Sequence, residues 1–558
     1  MRRSGLMLAA VVLALLPVGV SAHMERPTLA PSGAGRVPAY RDAGPFELVC
    51  PRDSASFAQS MASYPAEFRQ RDLDLFAQCP ARGHQSLQSA IDAAPDGGRV
   101  LVLPGVYTEP GSLGPQSDEC LNLRSLKVTN RGYKVLTHEQ QRQCPHLQSL
   151  VAIIDRRDLQ VEGLGAQPAD VLIDVAYQKL DGIRADRADG IYLRNLMVEH
   201  TLDNAIYVIE TDGYVLDRTI GAWNDSYGIL TFATDHGLYT DCEAYGNGDS
   251  GLYPGGTSDI NRGRGFDVPR YAVEIRNCRS HHNAIGYSGT GGDSVWVHDS
   301  EFDHNTTGVT MDSLFPDHPG LPQNHALLER NRIHANNQDY YAGVRNGLCA
   351  RSAATWPADT VCPTVGVPIG TGIMVAGGHH DLFRGNWIYD NHRAAAKLVW
   401  APGFAINDFR WERQWDVNND VQFRNNVLGV APGGTTAPNG MALDWDQQGA
   451  GICFDGAGWQ VPAVPGCDSP TGGWQRFAPN PDAVLYNIYC GGYDRTLASV
   501  PAGCDWFTAP PTPGTPRLNW LVLQGALLVA MLAAWLWLRQ RRSGPTGGVE
   551  EPDVLPAA

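Results

Sequence analysis

A loosely repeated phrase that ends on asparagine is the feature that most constrains how this chain folds. It recurs between residues 181 and 426, for example as YTDCEAYGNGDSGL, IRNCRSHHNAIGY and VHDSEFDHNTTGV. His200 is assigned the same place one repeat before the asparagines that end the phrases, which are Asn224, Asn247, Asn283, Asn305, Asn336 and Asn391. The successive gaps of 24, 23, 36, 22, 31 and 55 residues indicate a unit of 22–24 residues that carries insertions in some repeats.

A period of this length is typical of a solenoid. Short β-rich runs such as Val273–Ile275 and Val295–Val297 are separated by Gly, Asn and Asp, and nothing between them has the length and 3.6-residue period of a helix. Three short strands and three turns fit into one period, which predicts one coil of a parallel β-helix. The recurring asparagine side chains are expected to bond to one another in an internal ladder with a step of about 4.8 Å.

The segment Ser86–Pro110, SLQSAIDAAPDGGRVLVLPGVYTEP, predicts a short helix with one apolar face, a turn and a strand. It closely resembles the opening of pectin-lyase-like proteins, in which such a helix caps the first coil. The resemblance extends over roughly residues 80–430 and implies an all-β, single-stranded right-handed parallel β-helix. That superfamily includes polysaccharide lyases, galacturonases, alginate epimerases, phage tailspikes and copper-pathway periplasmic proteins, so the resemblance carries over no single activity. The Asp-Pro-His-Asp signature of the epimerases and the Asn-Thr-Asp and Gly-His-Gly motifs of the galacturonases are not found.

The two ends of the chain predict export and a membrane anchor. A basic start, an apolar core and small residues before position 23 are typical of a secretory signal. Near the C-terminus, 21 mostly apolar residues are followed by arginines, which favours a transmembrane helix with a cytoplasmic tail. The predicted divisions are a signal peptide (1–22), a disulfide-stapled N-terminal extension (23–80), the β-helix (81–430), a C-terminal cap region (431–509), a Pro-rich linker (510–517), the transmembrane helix (518–538) and the cytoplasmic tail (539–558).

Cysteine spacing and net charge narrow the environment and the partners. Twelve cysteines in an exported chain predict disulfides. The expected pairs are Cys50–Cys79, Cys120–Cys144, Cys242–Cys278, Cys349–Cys362, Cys453–Cys467 and Cys490–Cys504. A net charge of -16 makes nucleic acid a poor partner.

The repeat register predicts one outward-facing column with chemical potential. The third residue before each ladder asparagine is expected to point inward, which gives Ala244, Ser280, Phe302, Ile333 and Ile388. The next residue along must then face out. Those residues form a column with three candidate catalytic groups: His281 or His334 as the base, and Asp303 as the carboxylate that orients it. Tyr245 and Tyr389, at the ends of the column, are candidate sugar-binding residues. The same three central groups also suit a divalent metal, and a polar exposed column without function is the alternative.

A second column consists of Asp212, Asp235 and Asp293, with Tyr271 at the position between the last two. Stacked carboxylates are candidate calcium ligands, and the alternative is that each aspartate only bonds its own turn. Insertions near 255–269, 312–323, 345–370 and 402–418 are expected to follow the same strand in successive coils and so to wall a groove along one side.

Three functions follow from these features. The first is a membrane-anchored extracytoplasmic protein that binds a polysaccharide and processes it as a lyase, an epimerase or a hydrolase, with calcium as a candidate cofactor. The second is a non-catalytic structural or adhesive surface module. The third is metal handling in the periplasm, suggested by the superfamily and by His23, which becomes the N-terminus if the signal is cleaved after Ala22.

Overall fold

The computed structural model describes residues 25–109, 117–123, 135–314, 318–401, 416–459, 464–471 and 501–510, together with the single residues Cys490, Met531 and Trp535. Within them the backbone winds through three stacked rows of parallel strands, one strand per row in each coil. The predicted parallel β-helix is therefore confirmed.

The three rows are named here sheets 1, 2 and 3 in the order in which each coil visits them. Sheet 1 contains β1 (Phe46–Val49), β3 (Arg99–Val102), β6 (Gln160–Gly163), β9 (Ile191–Glu199), β11 (Asp212–Ala222), β13 (Asp235–Thr240), β16 (Val273–Arg276), β19 (Val295–His298), β22 (Leu327–Glu329), β25 (Leu382–Arg384), β28 (Gln422–Arg424) and β31 (Cys453–Phe454). The short strand β2 (Gly83–His84) pairs with β1. The long strands β9 and β11 continue around the corner into sheet 2.

The other two sheets follow the same parallel order. Sheet 2 adds β4 (Gly105–Tyr107), β7 (Val171–Asp174), β14 (Glu243–Tyr245), β17 (Arg279–His281), β20 (Glu301–Asp303), β23 (Arg332–His334), β26 (Trp387–Tyr389) and β29 (Val427–Leu428). Sheet 3 contains β5 (Ser149–Ile154), β8 (Asp181–Asp186), β10 (Asn204–Ile209), β12 (Tyr227–Phe232), β15 (Ser250–Gly255), β18 (Ile285–Ser288), β21 (Thr307–Asp312), β24 (Thr371–Ala376), β27 (Ala394–Val399) and β30 (Leu443–Trp445).

The helices with described bounds are short and lie outside the three sheets. They are α1 (Ser54–Ala62), α2 (Ala66–Phe76), α3 (Cys79–Arg82), α4 (Leu87–Ala93), α5 (Asp118–Leu123), α6 (His138–Gln143) and α7 (Tyr341–Arg345). Helix α4 is the predicted cap: Ser86 accepts a hydrogen bond from the Ser89 amide, and Leu87, Ala90 and Ile91 are buried in the central core. The helix thus covers the apolar end of the first coils, as the sequence predicts.

The predicted asparagine ladder runs along the corner between sheets 2 and 3. Each side-chain amide donates to the amide oxygen of the next asparagine, as in Asn224 to Asn247 at 2.8 Å and Asn305 to Asn336 at 3.0 Å. The residue before each asparagine adopts a left-handed φ, for example 54° at His304. The ladder stabilises this sharp turn because it bonds buried backbone groups that the turn removes from the sheets.

One ladder assignment was wrong by a single position. Thr201, and not His200, donates its amide and hydroxyl to the Asn224 side-chain oxygen, at 3.0 and 2.8 Å. His200 occupies the left-handed position before it, with a φ of 58°. Its ring is therefore free of the buried ladder and lies half-exposed.

A second ladder, which the sequence reading missed, lies at the corner between sheets 1 and 2. Asn331 donates to Asn386 at 3.1 Å, and Asn386 donates to Asn426 at 3.0 Å. Towards the N-terminus its place is taken by Ser300 and then by the cysteines 278 and 242. The mixed residue types hide this ladder in the sequence, although their backbone role is the same.

The interior of the coils follows the predicted alternation. All five residues predicted to face inward are fully buried: Ala244, Ser280, Phe302, Ile333 and Ile388. Five of the predicted disulfides are present, namely Cys50–Cys79, Cys120–Cys144, Cys242–Cys278, Cys349–Cys362 and Cys453–Cys467. Cys490 and Cys504 are each disulfide-bonded as well. The strand pairing continues to Phe454, past the predicted end of the β-helix at residue 430.

The insertions do not all follow the same strand. Those near 255–269 and 312–323 leave sheet 3, whereas 345–370 lies between β23 of sheet 2 and β24 of sheet 3. The expectation of a single insertion corner is therefore corrected: the described insertions leave two different corners of the coils. The insertion at 402–418 lies largely outside the described residues.

The predicted signal peptide, His23 and the predicted transmembrane helix at 518–538 lie outside the described residues, apart from two single positions in the last. In the parts of the chain that the structure describes, no helix has both the length and the apolar character needed to cross a membrane.

Replacing Asn305 by Ala is expected to lower the free energy of unfolding by about 2–4 kcal/mol, because buried donors and acceptors lose their partners. The lost partners are the Asn336 side chain, the Ser280 carbonyl and the Asn283 amide groups. Urea denaturation measures the change. Asn122→Ala, on the exposed side of α5, is the matched control and should cost nothing. An unchanged stability for Asn305→Ala would show that the ladder is incidental.

Candidate functional site

The strand register places the predicted outward column on neighbouring coils of sheet 2. Tyr245 lies opposite His281, His281 opposite Asp303, Asp303 opposite His334, and His334 opposite Tyr389. The column is therefore continuous, as the alternation predicts. What its members touch differs from the expectation.

Asp303 does not orient the histidines of its own column. Its carboxylate is buried and accepts two hydrogen bonds from Arg279, at 2.9 and 2.8 Å, and one from His304 Nδ1 at 2.7 Å. Burial acts to raise the pKa of Asp303, but the bonds from His304 and Arg279 outweigh it and hold this pKa well below its usual range. Asp303 is thus a buried anion that is already neutralised by protein groups.

The two histidines of the column pair with glutamates on neighbouring strands. His281 Nε2 lies 3.0 Å from Glu243, and its Nδ1 lies 2.7 Å from His282 Nδ1. His334 Nε2 lies 2.8 Å from Glu301. Each imidazole has a carboxylate partner suited to acid–base chemistry, but the partner is a glutamate and not Asp303.

The two tyrosines stack on these histidines. Tyr245 lies flat on His281, with ring centroids 5.1 Å apart and an angle of 10° between the rings. His334 and Tyr389 lie 4.5 Å apart at 6°. One face of each tyrosine ring is covered by its histidine neighbour, which leaves the opposite face for the predicted contact with a sugar. Their edges and hydroxyl groups remain for contact.

The predicted calcium column does not gather into one ligand set. Asp212 lies opposite Asp235, but Asp212 binds Ser32 (2.9 Å), the Gly35 amide (3.0 Å) and His236 (2.7 Å). Asp235 holds Arg270 through both oxygens, at 2.7 and 3.0 Å. Asp293 is fully buried and accepts from the Asn324 amide at 2.8 Å. The N-terminal extension covers Asp212, a long-range contact that the local pattern could not reveal.

The outer face of sheet 3 is buried and holds ionisable groups that the sequence reading did not single out. Burial raises the pKa of Asp249, just before β15, to about 6 and lowers that of Lys397 to about 8. Lys397 pairs with Asp444 at 2.6 Å. An enclosed face of this kind offers a polymer less access than sheet 2 does.

The outward column of sheet 2 continues towards the N-terminus. Tyr245 lies opposite Ala222, Ala222 opposite Glu199, and Glu199 opposite Asp174. Asp174 was missed because the repeat was traced only from residue 181, and Glu199 and His200 were missed because His200 was assigned to the ladder. The signal available in the sequence was the outward position of Glu199 directly before His200.

These three residues line a cleft of about 530 Å³. Its other described walls come from residues that follow β7 and β11 and from the insertion between β23 and β24. They are Ala176, Tyr177, Trp223, Ala353, Ala354, Trp356, Pro357, Ala358, Asp359 and Thr360. The size and the mixture of aromatic and ionisable groups are typical of a small-ligand site.

His200 lies between the two carboxylates. Its Nδ1 is 3.0 Å from Asp174 and 3.5 Å from Glu199. The bond to Asp174 raises the pKa of His200 despite desolvation. Burial acts to raise the pKa of Asp174, but the His200 and Ala176 hydrogen bonds outweigh it and lower this pKa. Burial raises the pKa of Glu199. The pKa values of two neighbouring carboxyl groups are thus shifted in opposite directions.

Aromatic rings form the walls of the cleft. Tyr177 packs 5.1 Å from the His200 ring and 6.2 Å from Trp356, and its hydroxyl donates to the Trp223 carbonyl at 2.9 Å. Trp223 contacts Tyr245 edge-on at 5.6 Å and so joins the cleft to the column. Trp356 Nε1 is buried and has no hydrogen-bond partner within the described part of the chain. The Cys349–Cys362 disulfide closes the loop that carries Trp356.

Two groups of side chains on this face have the spacing of metal ligands, with one ligand atom from each residue lying within 4.8 Å of the others. They are Asp174, Glu199 and His200, and Glu301, Asp303 and His334. In the second group the Arg279 guanidinium already occupies both Asp303 oxygens, which opposes a cation there.

Comparisons with known proteins give similarity at the level of structure. No family model matches the sequence, and no curated protein matches it. Similar solved structures include pectate lyase Pel9A, at 11% identity over 66% of this chain and 78% of that chain with a TM-score of 0.32. An alginate lyase from Paenibacillus sp. str. FPU-7 matches at 13% identity over 64% and 95%, with a TM-score of 0.31. The periplasmic alginate epimerase AlgG matches at 13% over 64% and 68%, with a TM-score of 0.35. The fold rests on the strand pairing itself, and these likenesses assign no activity to the chain.

Asp174→Asn is expected to lower the pKa of His200, because the hydrogen bond and charge that raise it are lost. NMR titration of the histidine ring signals measures this change. The pair stabilises the fold fully between the unfolded-state pKa values of Asp and His, about 3.9 and about 6.5. This stability falls at lower pH as Asp174 protonates and at higher pH as His200 loses its proton.

The half-exposed Asp155, beside His138, provides the matched control. Asp155→Asn should leave the His200 titration unchanged. A His200 titration that Asp174→Asn does not move would contradict the coupling described here.

Proposed function

We propose that this protein binds a polysaccharide along the outer face of sheet 2 and processes it in the Asp174–Glu199–His200 cleft. The observation that carries the proposal is the union, in one open cleft, of two carboxyl groups, an imidazole and aromatic walls. Aromatic side chains contribute a large apolar contact area beside polar edges, which suits the mixed faces of sugar rings.

The arrangement favours hydrolysis among the three reaction types considered. Glu199, with its raised pKa, supplies a proton to the glycosidic oxygen, while the ionised Asp174 acts as nucleophile or base. A lyase or an epimerase acting on a uronate needs a cation to neutralise the sugar carboxylate. Among the described residues that line the cleft there is no Arg or Lys.

The rest of the column extends the binding surface. From Asp174 to Tyr389 it crosses eight coils, roughly 34 Å at about 4.8 Å per step. His281, His334 and the tyrosine edges would contact sugars that lie beyond the cleft. Asp303 contributes by fixing Arg279 and His304 in place.

Export and anchoring complete the proposal. The five disulfides described above fit an oxidising compartment. The predicted signal peptide (1–22) and transmembrane helix (518–538) would then hold the β-helix outside the membrane, where polysaccharides are found.

A non-catalytic surface module is the second candidate, and one observation favours it. The ionisable residues of the column already have protein partners. His281 pairs with Glu243, and His334 pairs with Glu301. Asp303 accepts hydrogen bonds from Arg279 and His304. Such mutual pairing also serves a rigid spacer. The two candidates differ in what happens when an acid in the cleft is changed.

Trp356→Ala is expected to weaken polysaccharide binding by roughly tenfold, which corresponds to about 1.4 kcal/mol of lost contact. Calorimetric titration against a panel of neutral, anionic and cationic oligosaccharides measures the affinity. Trp296→Ala is the matched control, since Trp296 is a half-buried tryptophan stacked on His298 in sheet 1, away from the cleft. Equal losses of affinity in both variants would show that the cleft is not the binding site.

Glu199→Gln should abolish the release of reducing ends, because the amide keeps the shape of the side chain but cannot donate the required proton. Products are followed by reducing ends and by ultraviolet absorbance. Unsaturated ends from the wild-type protein would establish a lyase and contradict the hydrolytic assignment. Binding without any product, in wild type and variant alike, would favour the non-catalytic module.

A further inference from the structure

The charges that face the cleft are almost all negative. Asp174, Glu199 and Asp359 line it, and His200 is the one basic side chain among its described lining residues. His200 is held by Asp174 and Glu199, so it offsets at most one of the three carboxylates. The walls are therefore left with an excess of negative charge whenever Asp174 and Asp359 are ionised.

Neighbouring groups respond to this charge. Burial raises the pKa of the Tyr177 hydroxyl, and the carboxylates Asp225, Glu199 and Asp174 raise it further. Burial likewise raises the pKa of Tyr245, with Glu243, Glu199 and Asp359 adding to the effect. Negative potential therefore extends from the cleft to the start of the column.

Aromatic walls beside carboxylates recognise cations. A protonated amine gains from the quadrupole of a tryptophan or tyrosine ring as well as from the carboxylates. An anionic sugar pays a repulsive energy against the same groups, and this penalty is larger in a partly desolvated cleft than in water. Trp223, Trp356 and Tyr177 line the same cleft as the carboxylates, and the Tyr177 and Trp356 rings contact each other.

We propose that the sugar held in the cleft is a protonated amino sugar, an unacetylated hexosamine unit of a polysaccharide. This inference rests on the proposed function, because it assigns the substrate class of the same site. The amine lies between Glu199 and Asp359, and the sugar ring packs against Trp356. N-acetylation removes the charge, and a uronate reverses it.

A bare metal ion is a poorer occupant. His200 Nδ1 already contacts Asp174 at 3.0 Å and Glu199 at 3.5 Å, so a metal ion would have to displace these contacts before it could bind all three groups. The aromatic walls contribute no oxygen ligands for a hard cation. A ligand that is charged at one end and has an apolar ring face uses both features of the cleft.

The test compares the full-length protein with three matched oligosaccharides by calorimetry, at a pH below the pKa of the sugar amine. They are a glucosamine oligosaccharide, the same oligosaccharide after N-acetylation, and an oligouronate of equal length. We expect N-acetylation to weaken binding at least about tenfold and the oligouronate to bind more weakly still. Added salt should weaken binding of the amine form only.

A cationic sugar could also be attracted by the overall net charge of -16. Variants inside and outside the cleft separate this general attraction from binding in the cleft. Glu199→Gln together with Asp174→Asn should lower the affinity for the glucosamine oligosaccharide, whereas Glu139→Gln, on the exposed face of α6, should not. The inference would be overturned if both variants lost affinity equally, or if the cleft variant lost none.

The remaining outcomes separate the inference from the proposed function. Equal or tighter binding of the acetylated or uronate oligosaccharide, lost in Trp356→Ala, overturns the amino-sugar assignment and leaves polysaccharide binding intact. Binding of none of the three overturns both. A lysine oligopeptide that binds the cleft more tightly than any sugar also overturns the assignment, in favour of a basic peptide ligand.

Discussion

The stacked amide ladder between sheets 2 and 3 is the interaction on which the rest of the structure depends. It holds a left-handed residue and an inward asparagine at the same point of successive coils, as at His304 and Asn305. In a strand, a shift of one residue exchanges the inner and outer faces. By fixing the register, the ladder decides which side chains form the core and which form the outward column of sheet 2.

The same register explains why that column has two chemically different parts. From His281 to His334, acids and bases alternate between adjacent strands and satisfy one another. At Asp174 and Glu199 two carboxyl groups are stacked with one histidine, and no arginine follows them among the described cleft residues. The insertion after β23 then brings Trp356 over this point and turns an exposed patch into a cleft. Ionic balance along most of the column, and imbalance at one end, distinguish that end as the candidate site.

The parts of this structure that depend on local sequence could be predicted, and those that depend on distant segments could not. Ala244, Phe302 and Ile388 were placed inside because period-2 alternation and the asparagine position suffice to place them. The cysteines 242 and 278 were paired by the same register. The partner of Asp303 was not predictable, since Arg279 lies two residues along its own strand from the column and reaches across to the next coil.

The cleft was missed for a similar reason. The coil that carries Glu199 and His200 lacks the asparagine phrase, because Thr201 replaces the ladder residue there. Its aromatic wall comes from a loop more than a hundred residues later, and only the three-dimensional stacking brings Trp356 to Tyr177. The protein partners of the predicted calcium ligands were also not predictable, since the extension at Ser32 and Gly35 folds back onto Asp212 from far along the chain. Such long-range contacts leave no periodic signal.

Hydrogen–deuterium exchange of the full-length protein with and without a bound oligosaccharide tests the central claim most directly. We expect slower exchange on binding at residues 174–177, 199–201 and 353–360, which surround the cleft, with weaker protection along the column of sheet 2. Protection confined to the outer side of sheet 3, with no change around His200 and Trp356, would contradict the account and move the site to another face of the β-helix.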